Sequence, residues 1–499
     1  MLFMLKRVFA IDLRSLGLFR IALGLILLCD LAVRGTSFAG HYGYRGVLPP
    51  EILLKGLMPQ AQFSLNLISS HWLTQTILFS AYALSSAAFL VGFKTRIANA
   101  LAWIFLLSIQ NRNPLVLQGG DELLRMMMCW ALFLPMGARF SLDSVILPSN
   151  LQQPRTEVFS FASAAVLLQL AMVYLFSVVL KSGAEWVPDG TAVYFALNIE
   201  EFAKPIGLWI RQFPSLMKFI TLSTWYFEAI GPVLLFVPVG FVFFRILCIL
   251  GFVGLHVGLF LSLELGIFPF VSSSCMIPFL PAEVWDWLET SNLALLASVR
   301  LKLNKFHLFV KTKVKASDMA TKRNTKTSIF GQVGAVFFLL YVFAWNMESI
   351  GVWGIRIPYS MVWISEFTRV DQYWNLFAPY PYKDDGWFVM PGQTVDGTAV
   401  DVFTGKVGEV SWEKPRLVSA MYPDDRWRSL LMNLRQEKYE KYFLYFGKYK
   451  CLSWNENSDR SYSQKLKSFQ IFFMKKTTPP PGQLFAPLVK ELFWEHDCF

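Results

Sequence analysis

Histidine, cysteine and charge are all scarce in this chain of 499 residues. The five histidines, at 41, 71, 256, 307 and 496, show no metal-ligand spacing. The six cysteines include no C-x-x-C pair, and no glycine-rich phosphate loop stands out. Charged residues make up 16% of the chain, where soluble domains carry about a quarter. Hydrophobic residues make up 54%, and mean hydropathy is +0.42. The formal net charge of +11 would suit nucleic acid. The basic residues, however, gather in loops and one linker, as they do in membrane proteins. No nucleic-acid partner is therefore expected, and the lipid bilayer takes its place.

What is present points the same way. Seventeen Trp and 46 Phe fit a lipid-facing protein with aromatic interface belts. Apolar runs lie near 15–33, 72–93, 97–111, 122–138, 158–180, 222–241, 244–263 and 328–346. A ninth, at 266–283, is broken by Pro269 and Pro278 and reads either as a kinked span or as a re-entrant segment. The first run, Leu16 to Ala32, has basic residues before it but no small-x-small cleavage site, so it reads as a span rather than a signal peptide.

Charge orients these runs. Lys6, Arg7 and Arg14 place the N-terminus in the cytoplasm. Lys94 with Arg96, and Arg139 with Arg155, mark inside loops. The linker from Arg300 to Lys326 carries nine Lys/Arg against the single Asp318 and is expected inside. Nine spans satisfy every one of these loops and put the C-terminal region on the periplasmic or lumenal side.

The expected fold is a polytopic α-helical membrane protein of about nine transmembrane helices with a small C-terminal α+β extramembrane domain. Residues 1–290 form the transmembrane domain, 291–327 a basic cytoplasmic linker, 328–346 the last span and 347–499 the outer domain. Within the last, VDGTAVDVF reads as a turn at Asp396-Gly397 entering a strand. RWRSLLMNLRQEKYEKYF reads as a capped helix and FQIFFMKK as a late strand. Cys451 and Cys498 are either a disulfide or two separate thiols; Cys29, Cys129, Cys248 and Cys275 lie in apolar runs and read as packing residues.

Several polar residues sit where charge is costly. Lys181 directly follows the uncharged run from Val158. Either it snorkels, its stem in lipid and its ammonium in water, or it sits in an apolar cleft closed by Trp186 and acts as a base. The second reading needs burial to bring an amine that ordinarily titrates near 10.4 toward neutrality. His256, in LCILGFVGLHVGLFL, is the only histidine inside a span, and Glu228 poses the same question in the neighbouring one. Each makes an interhelical hydrogen bond or has a functional role. Asp121 follows Gly119-Gly120 at the start of a helix; an N-cap is a sufficient explanation, though it shares the outer face with Lys181. Arg20, Asp30 and Arg125 are expected to pair with one another or to reach lipid headgroups.

These segments together resemble a known family. KSGAEWVPDGTAVYFAL is similar to the lysine-containing segment of the vitamin K-dependent gamma-glutamyl carboxylases, with Lys181 five residues before Trp186. HVGLFLSLELGIFPF resembles that family's histidine helix, with Phe268 twelve residues after His256. FRIALGLILLCDLAVR and NRNPLVLQGGDELLRMMMCWALFLPMGARFSLD resemble its bacterial branch, the HTTM (horizontally transferred transmembrane) domain. The likeness covers roughly residues 10 to 290 and is weaker in QYWNLFAPYPYKDDGW. It implies that Lys181, with His256 as partner, deprotonates reduced vitamin K or a menaquinol-like quinol. Reaction with oxygen then yields a strong base that opens a glutamate gamma carbon to carbon dioxide. Asp121, Trp186, Glu228 and Phe268 would line the substrate site, and a protein or peptide on the outer face would be the substrate. Leu180 stands where the animal enzymes have a second lysine, and Gly120-Asp121 where they have Asn-His. The outer domain is also smaller than theirs. The alternative is a non-enzymatic maturation factor or binding platform whose outer domain, aromatic from Trp374 to Trp454, holds a partner. A transporter ranks below both, since no repeat is visible and only 266–283 looks broken.

Overall fold

The computed structural model describes residues 1–56, 63–69, 71–146, 156–291, 329–351, 354–456 and 460–499. Arg155 and nearly all of the basic linker lie outside the described residues. Five described helices are long and apolar enough to cross a membrane: α2 (Leu13–Thr36), α3 (Trp72–Val91), α6 (Phe161–Leu180), α9 (Phe241–Ser262) and α11 (Ile329–Ser349). The short α1 (Leu2–Phe9) precedes them. Between them run α4 (Thr95–Arg112), α5 (Gly119–Ala131), α7 (Ala192–Asn198), α8 (Pro214–Leu234) and α10 (Phe268–Ser274). The protein is thus a helical membrane protein carrying a C-terminal β-sheet domain.

Local chemistry sets the helix ends. Asp12 caps α2 by accepting from the Arg14 N–H at 2.7 Å, and Ser160 caps α6 by accepting from the Ser163 N–H at 3.2 Å. Gly92 ends α3 in the left-handed region at φ +71°. The α5 helix has 13 residues, about 20 Å, against the roughly 20 residues a span needs. The 266–283 run folds as the seven-residue α10 followed by a 3-10 turn at Ile277–Phe279, because Pro269 and Pro278 prevent a continuous helix.

Contacts sort the connecting segments to two ends of the bundle. At one end Arg20 donates to the Met136 and Arg139 carbonyls at 3.2 Å, and Asp143 accepts from the Lys94 and Thr95 N–H groups. There too Ser15 Oγ donates to Leu280 O at 3.2 Å, and Arg245 reaches the carbonyls of Val8, Leu235 and Phe279. At the other end lie Thr36, the α4–α5 connection, Lys181 and the α9–α10 connection, all covered by the C-terminal domain.

A short pair, β1 (Ile11–Asp12) with β2 (Glu157–Val158), joins the starts of α2 and α6, and the C-terminal domain is built on an antiparallel sheet of its own. Its long strand β7 (Leu466–Thr477) pairs with β8 (Val489–Asp497) on one edge, and with β3 (Asp384–Val389) and β4 (Pro391–Thr394) on the other. β5 (Ala399–Asp401) and β6 (Lys406–Val407) continue outward from β4. The expected turn is present: Gly397 has φ +88°, and Asp396 accepts from Thr394 and Thr398. The expected helix RWRSLLMNLRQEKYEKYF stops at Leu434 and becomes a 3-10 helix from Glu437; its first part is α13 (Asp425–Leu434), capped by Asp424. The next helix, α14 (Phe443–Asn455), is tied to the C-terminus by the Cys451–Cys498 disulfide. Cys129, Cys248 and Cys275 are buried free thiols in packed helices, and Cys29 is an exposed one.

After the last long helix the chain first stays on the bundle. Helix α12 (Tyr359–Thr368) packs on the transmembrane core, which also takes in Val370 and Trp374. The sheet domain's own core borrows Val47, Leu48, Leu53, Leu115 and Val116 from loops of the helical part. The two share an interior because neither closes its apolar surface alone.

Charge locks them together. Asp30, Arg34, Asp121 and Arg426 are all at most 1% exposed. Arg34 bonds Asp30 at 2.7 Å and also Asp121; Arg426, from α13, bonds Asp30 and both oxygens of Asp121, the latter at 3.1 Å. Two cations and two anions cancel. Arg20 and Arg125 take no part: Arg20 goes to backbone carbonyls, and Arg125 pairs with Asp371 at 3.2 Å.

A second junction sits around Glu201, fully buried, which accepts from Tyr422 and Arg435 at 2.6 Å each. Beside it Asp385, 2% exposed, accepts from the Glu201 N–H. Burial, and then the Glu201 charge, push the Asp385 carboxyl up to about 7.

Two predictions follow from these junctions. Arg426→Met leaves two buried carboxylates against one arginine and should cost about 3–5 kcal/mol; adding Asp121→Asn should restore part of it. Thermal unfolding in detergent with a double-mutant cycle measures both. For Asp385, the folded value lies above the unfolded one, near 4. The folded state therefore holds the extra proton between about pH 4 and 7, and this group's contribution to stability falls as pH rises through that window. Asp385→Asn should then be more stable relative to wild type at pH 8 than at pH 5.5, read as the difference in Tm.

Candidate functional site

Three helices and one loop converge near the domain-covered end of the bundle. Lys181 is the C-cap of α6, its N–H donating to the Ser177 and Val178 carbonyls at 3.1 Å. Its side chain turns inward rather than out to water. The residue is 6% exposed, and its ammonium forms an ion pair with the carboxylate of Glu228 on α8. The snorkelling geometry is therefore not the one adopted.

Above the ammonium lies Trp186, with Lys181 Nζ 4.6 Å from its ring centroid. The indole is fixed from outside, its N–H donating to Phe377 O at 3.0 Å. The adjacent Gly183 N–H donates to Pro379 O at 3.0 Å. A Cβ on Gly183 would lie 2.8 Å from that carbonyl oxygen, so this position needs glycine for close approach. Phe377 itself is left-handed at φ +57°. The segment from Phe377 to Pro379 thus forms a strap that holds Trp186 over the lysine.

On the inner side, Tyr174 stands seven residues before Lys181, two helical turns back on the same face of α6. Its hydroxyl shares a 2.8 Å hydrogen bond with His256 Nε2 on α9. His256 Nδ1 is buried and has no partner among the described residues. The Phe268 ring packs edge-on against His256 at 5.7 Å, and Phe252 lies 4.1 Å from the Tyr174 ring.

The structure therefore gathers Lys181, Trp186, Glu228, His256 and Phe268. Asp121 belongs elsewhere. It is the third residue of α5, not its N-cap, and accepts from the Gln118 N–H at 2.9 Å within a capping box. Its oxygens are held by Arg34 and Arg426. The preceding glycines are what touch the site: a Cβ on Gly120 would lie 2.7 Å from the Phe268 nitrogen. Two participants escaped the sequence. Tyr174 carried a legible signal in its heptad spacing from Lys181; the strap carried none, since nothing in its sequence requires a left-handed phenylalanine. Among the described residues no three His, Cys, Asp or Glu side chains are grouped to hold a metal.

Chemically, the arrangement is a lysine–carboxylate pair, both members able to gain or lose a proton, set in aromatic walls beside an imidazole with one free nitrogen. No family model, curated protein or solved structure matches the chain.

The strap makes a prediction about access. Trp186→Ala should expose Lys181, so that amine-reactive reagents modify it several-fold faster than in wild type. Peptide mapping by mass spectrometry gives the rate; an unchanged rate would show that Trp186 does not close the site.

Proposed function

We propose that this is a membrane-embedded, carboxylase-like enzyme in which Lys181 acts as a base on a lipid-soluble quinol, at a site facing the outer, periplasmic or lumenal side. The observation that carries it is the buried Lys181–Glu228 pair under Trp186. A buried ion pair is stable only with good compensation, and proton transfer within it replaces two charges by two neutral groups. Glu228 is thus the acceptor that frees the amine, and the lysine then takes a proton from a substrate hydroxyl.

The residues present fit a dihydroxy aromatic ring. Tyr174, Phe252, Phe268 and Trp186 supply apolar walls, and the unpartnered His256 Nδ1 supplies a polar contact for a hydroxyl. Tyr174 holds the imidazole in place. By its resemblance to the carboxylases, the quinol would supply, with oxygen, the base that opens a glutamate gamma carbon to carbon dioxide, ending as quinone epoxide and water. The strap and loop at Lys181 exclude bulk water, and the sheet domain covers the face from which a protein or peptide substrate would approach.

We further infer nine crossings, with the N-terminus in the cytoplasm. Taking α2 as a ruler, the segment from Gly119 to Arg139 starts beside Arg34 and ends beside Gly17, about 25 Å further on. The segment from Phe268 to Leu280 starts beside Gly120 and ends beside Ser15. These two short segments thus run the length of the bundle, which supports counting them with α4, α8 and the five long helices. The basic residues at Lys94, Arg96 and Arg139 then share the cytoplasmic side with the N-terminus.

Membranes carrying wild type, Lys181→Ala or Glu228→Gln, supplied with a reduced naphthoquinone, labelled bicarbonate and a glutamate peptide, test the reading. Lys181→Ala should lower epoxide formation about 10²-fold or more, the usual contribution of a general base. Glu228→Gln should lower it less and shift its pH profile. Epoxide without fixed label would assign the oxygenation to another substrate; equal turnover in all three proteins would leave the pair structural and favour a binding platform.

A further inference from the structure

A cavity lies away from Lys181, where the end of α2 meets the sheet domain. It has a volume of about 330 Å³, at the lower end of the range for ligand pockets, about 300–1,000 Å³. One wall is the chain from Thr36 to Gly40; the other is the face of α14 that presents Phe446, Tyr449, Lys450 and Ser453, spaced three and four apart as one helical face requires. Phe403, Trp427 and Leu431 complete the apolar part.

The polar side of the cleft has one sign. None of its lining residues is an aspartate or glutamate, and Lys450 is its only cation. Lys450 donates to Val402 O at 3.3 Å, which leaves two ammonium hydrogens, and its Nζ lies 6.0 Å and 5.8 Å from the Phe403 and Phe446 ring centroids. The nearest carboxylate acting on it, Asp401, is already bonded by the Phe403 N–H at 2.9 Å and the Thr404 hydroxyl at 2.7 Å. Burial pushes Lys450 down to about 8. The Cys451–Cys498 disulfide adjoins it and holds this stretch of α14 to the sheet.

We propose that this cleft binds an amphiphilic anion, with a phosphate or carboxylate head against Lys450, Tyr449 and Ser453 and an apolar body against Phe403, Trp427, Leu431 and Phe446. The apolar body distinguishes this ligand from a free inorganic anion. Because the cleft opens beside the end of a membrane helix, an anionic lipid and a soluble amphiphile offer the same chemistry.

The test uses the full chain in a non-ionic maltoside detergent, with octyl phosphate as probe and inorganic phosphate as the head alone, followed by calorimetry. Wild type should bind octyl phosphate more tightly than inorganic phosphate. Lys450→Met should weaken octyl phosphate about tenfold or more, the loss of one charge-assisted contact, while Lys450→Arg retains it. Ser453→Phe, which fills the cleft and leaves the lysine in place, should abolish it. Equal thermal unfolding of the variants separates this from misfolding. Native mass spectrometry of freshly extracted protein distinguishes the sources. An anionic phospholipid kept by wild type and lost in Lys450→Met identifies a lipid headgroup; octyl phosphate binding without retained lipid identifies a soluble amphiphile. No binding, equal binding in wild type, Lys450→Met and Ser453→Phe, or inorganic phosphate binding as tightly as octyl phosphate would each overturn the proposal.

Discussion

Arg426 is the residue on which the arrangement of this protein depends. It leaves the sheet domain at the start of α13 and enters the helical bundle, where Asp30 and Asp121 receive it. Without it those two carboxylates would share Arg34 as their one cation among the described residues, buried away from water. The domain therefore supplies a counter-charge that the bundle lacks, while the bundle supplies Val47, Leu48, Leu53, Leu115 and Val116 to a core that the domain cannot fill. Each half is incomplete alone, and the charge gives their docking a single register.

That docking reaches the lysine site by a short route. The chain that connects the last long helix to the sheet passes over the end of α6, and there Phe377 and Pro379 offer their carbonyls to Trp186 and Gly183. The indole that covers Lys181 is thus positioned by the segment leading into the outer domain, not by the bundle. A change that loosens the domain is transmitted to the cover of the site through two hydrogen bonds.

Much of this was legible from the sequence where one physical signal dominated. Long apolar runs announced α2, α3, α6, α9 and α11 because burial in lipid needs about 20 apolar residues. The strand and turn around Asp396-Gly397 were legible because a positive φ selects glycine. Lys181, Glu228 and His256 stood out because charge in an apolar run demands compensation. What pairs with what was not legible. Asp121 looked like a simple cap, since nothing local reveals an arginine 305 positions away. The α5 helix looked longer because apolar composition continues past Ala131 while the helix does not. Val370 and Trp374 follow a polar-looking turn yet pack into the transmembrane core, which no local signal announces. Long-range partners are set by tertiary packing, and a single sequence carries that only through spacing, as with Tyr174.

The two buried ionic groups differ in a way that separates architecture from chemistry. In the first, the cations are arginines, which keep their protons at any biological pH. The four charges close on one another, so the cluster has nothing to exchange. In the second, a lysine faces a single glutamate. Beside it, His256 Nδ1 has no partner among the described residues, in an interior where an unsatisfied polar atom costs about 1–3 kcal/mol. His41, packed on Trp427 next to Arg426, likewise has both ring nitrogens without a partner among the described residues. What separates the two groups is therefore the cation, a guanidinium that keeps its proton in one and an amine in the other, and the proposed chemistry at Lys181 rests on that difference.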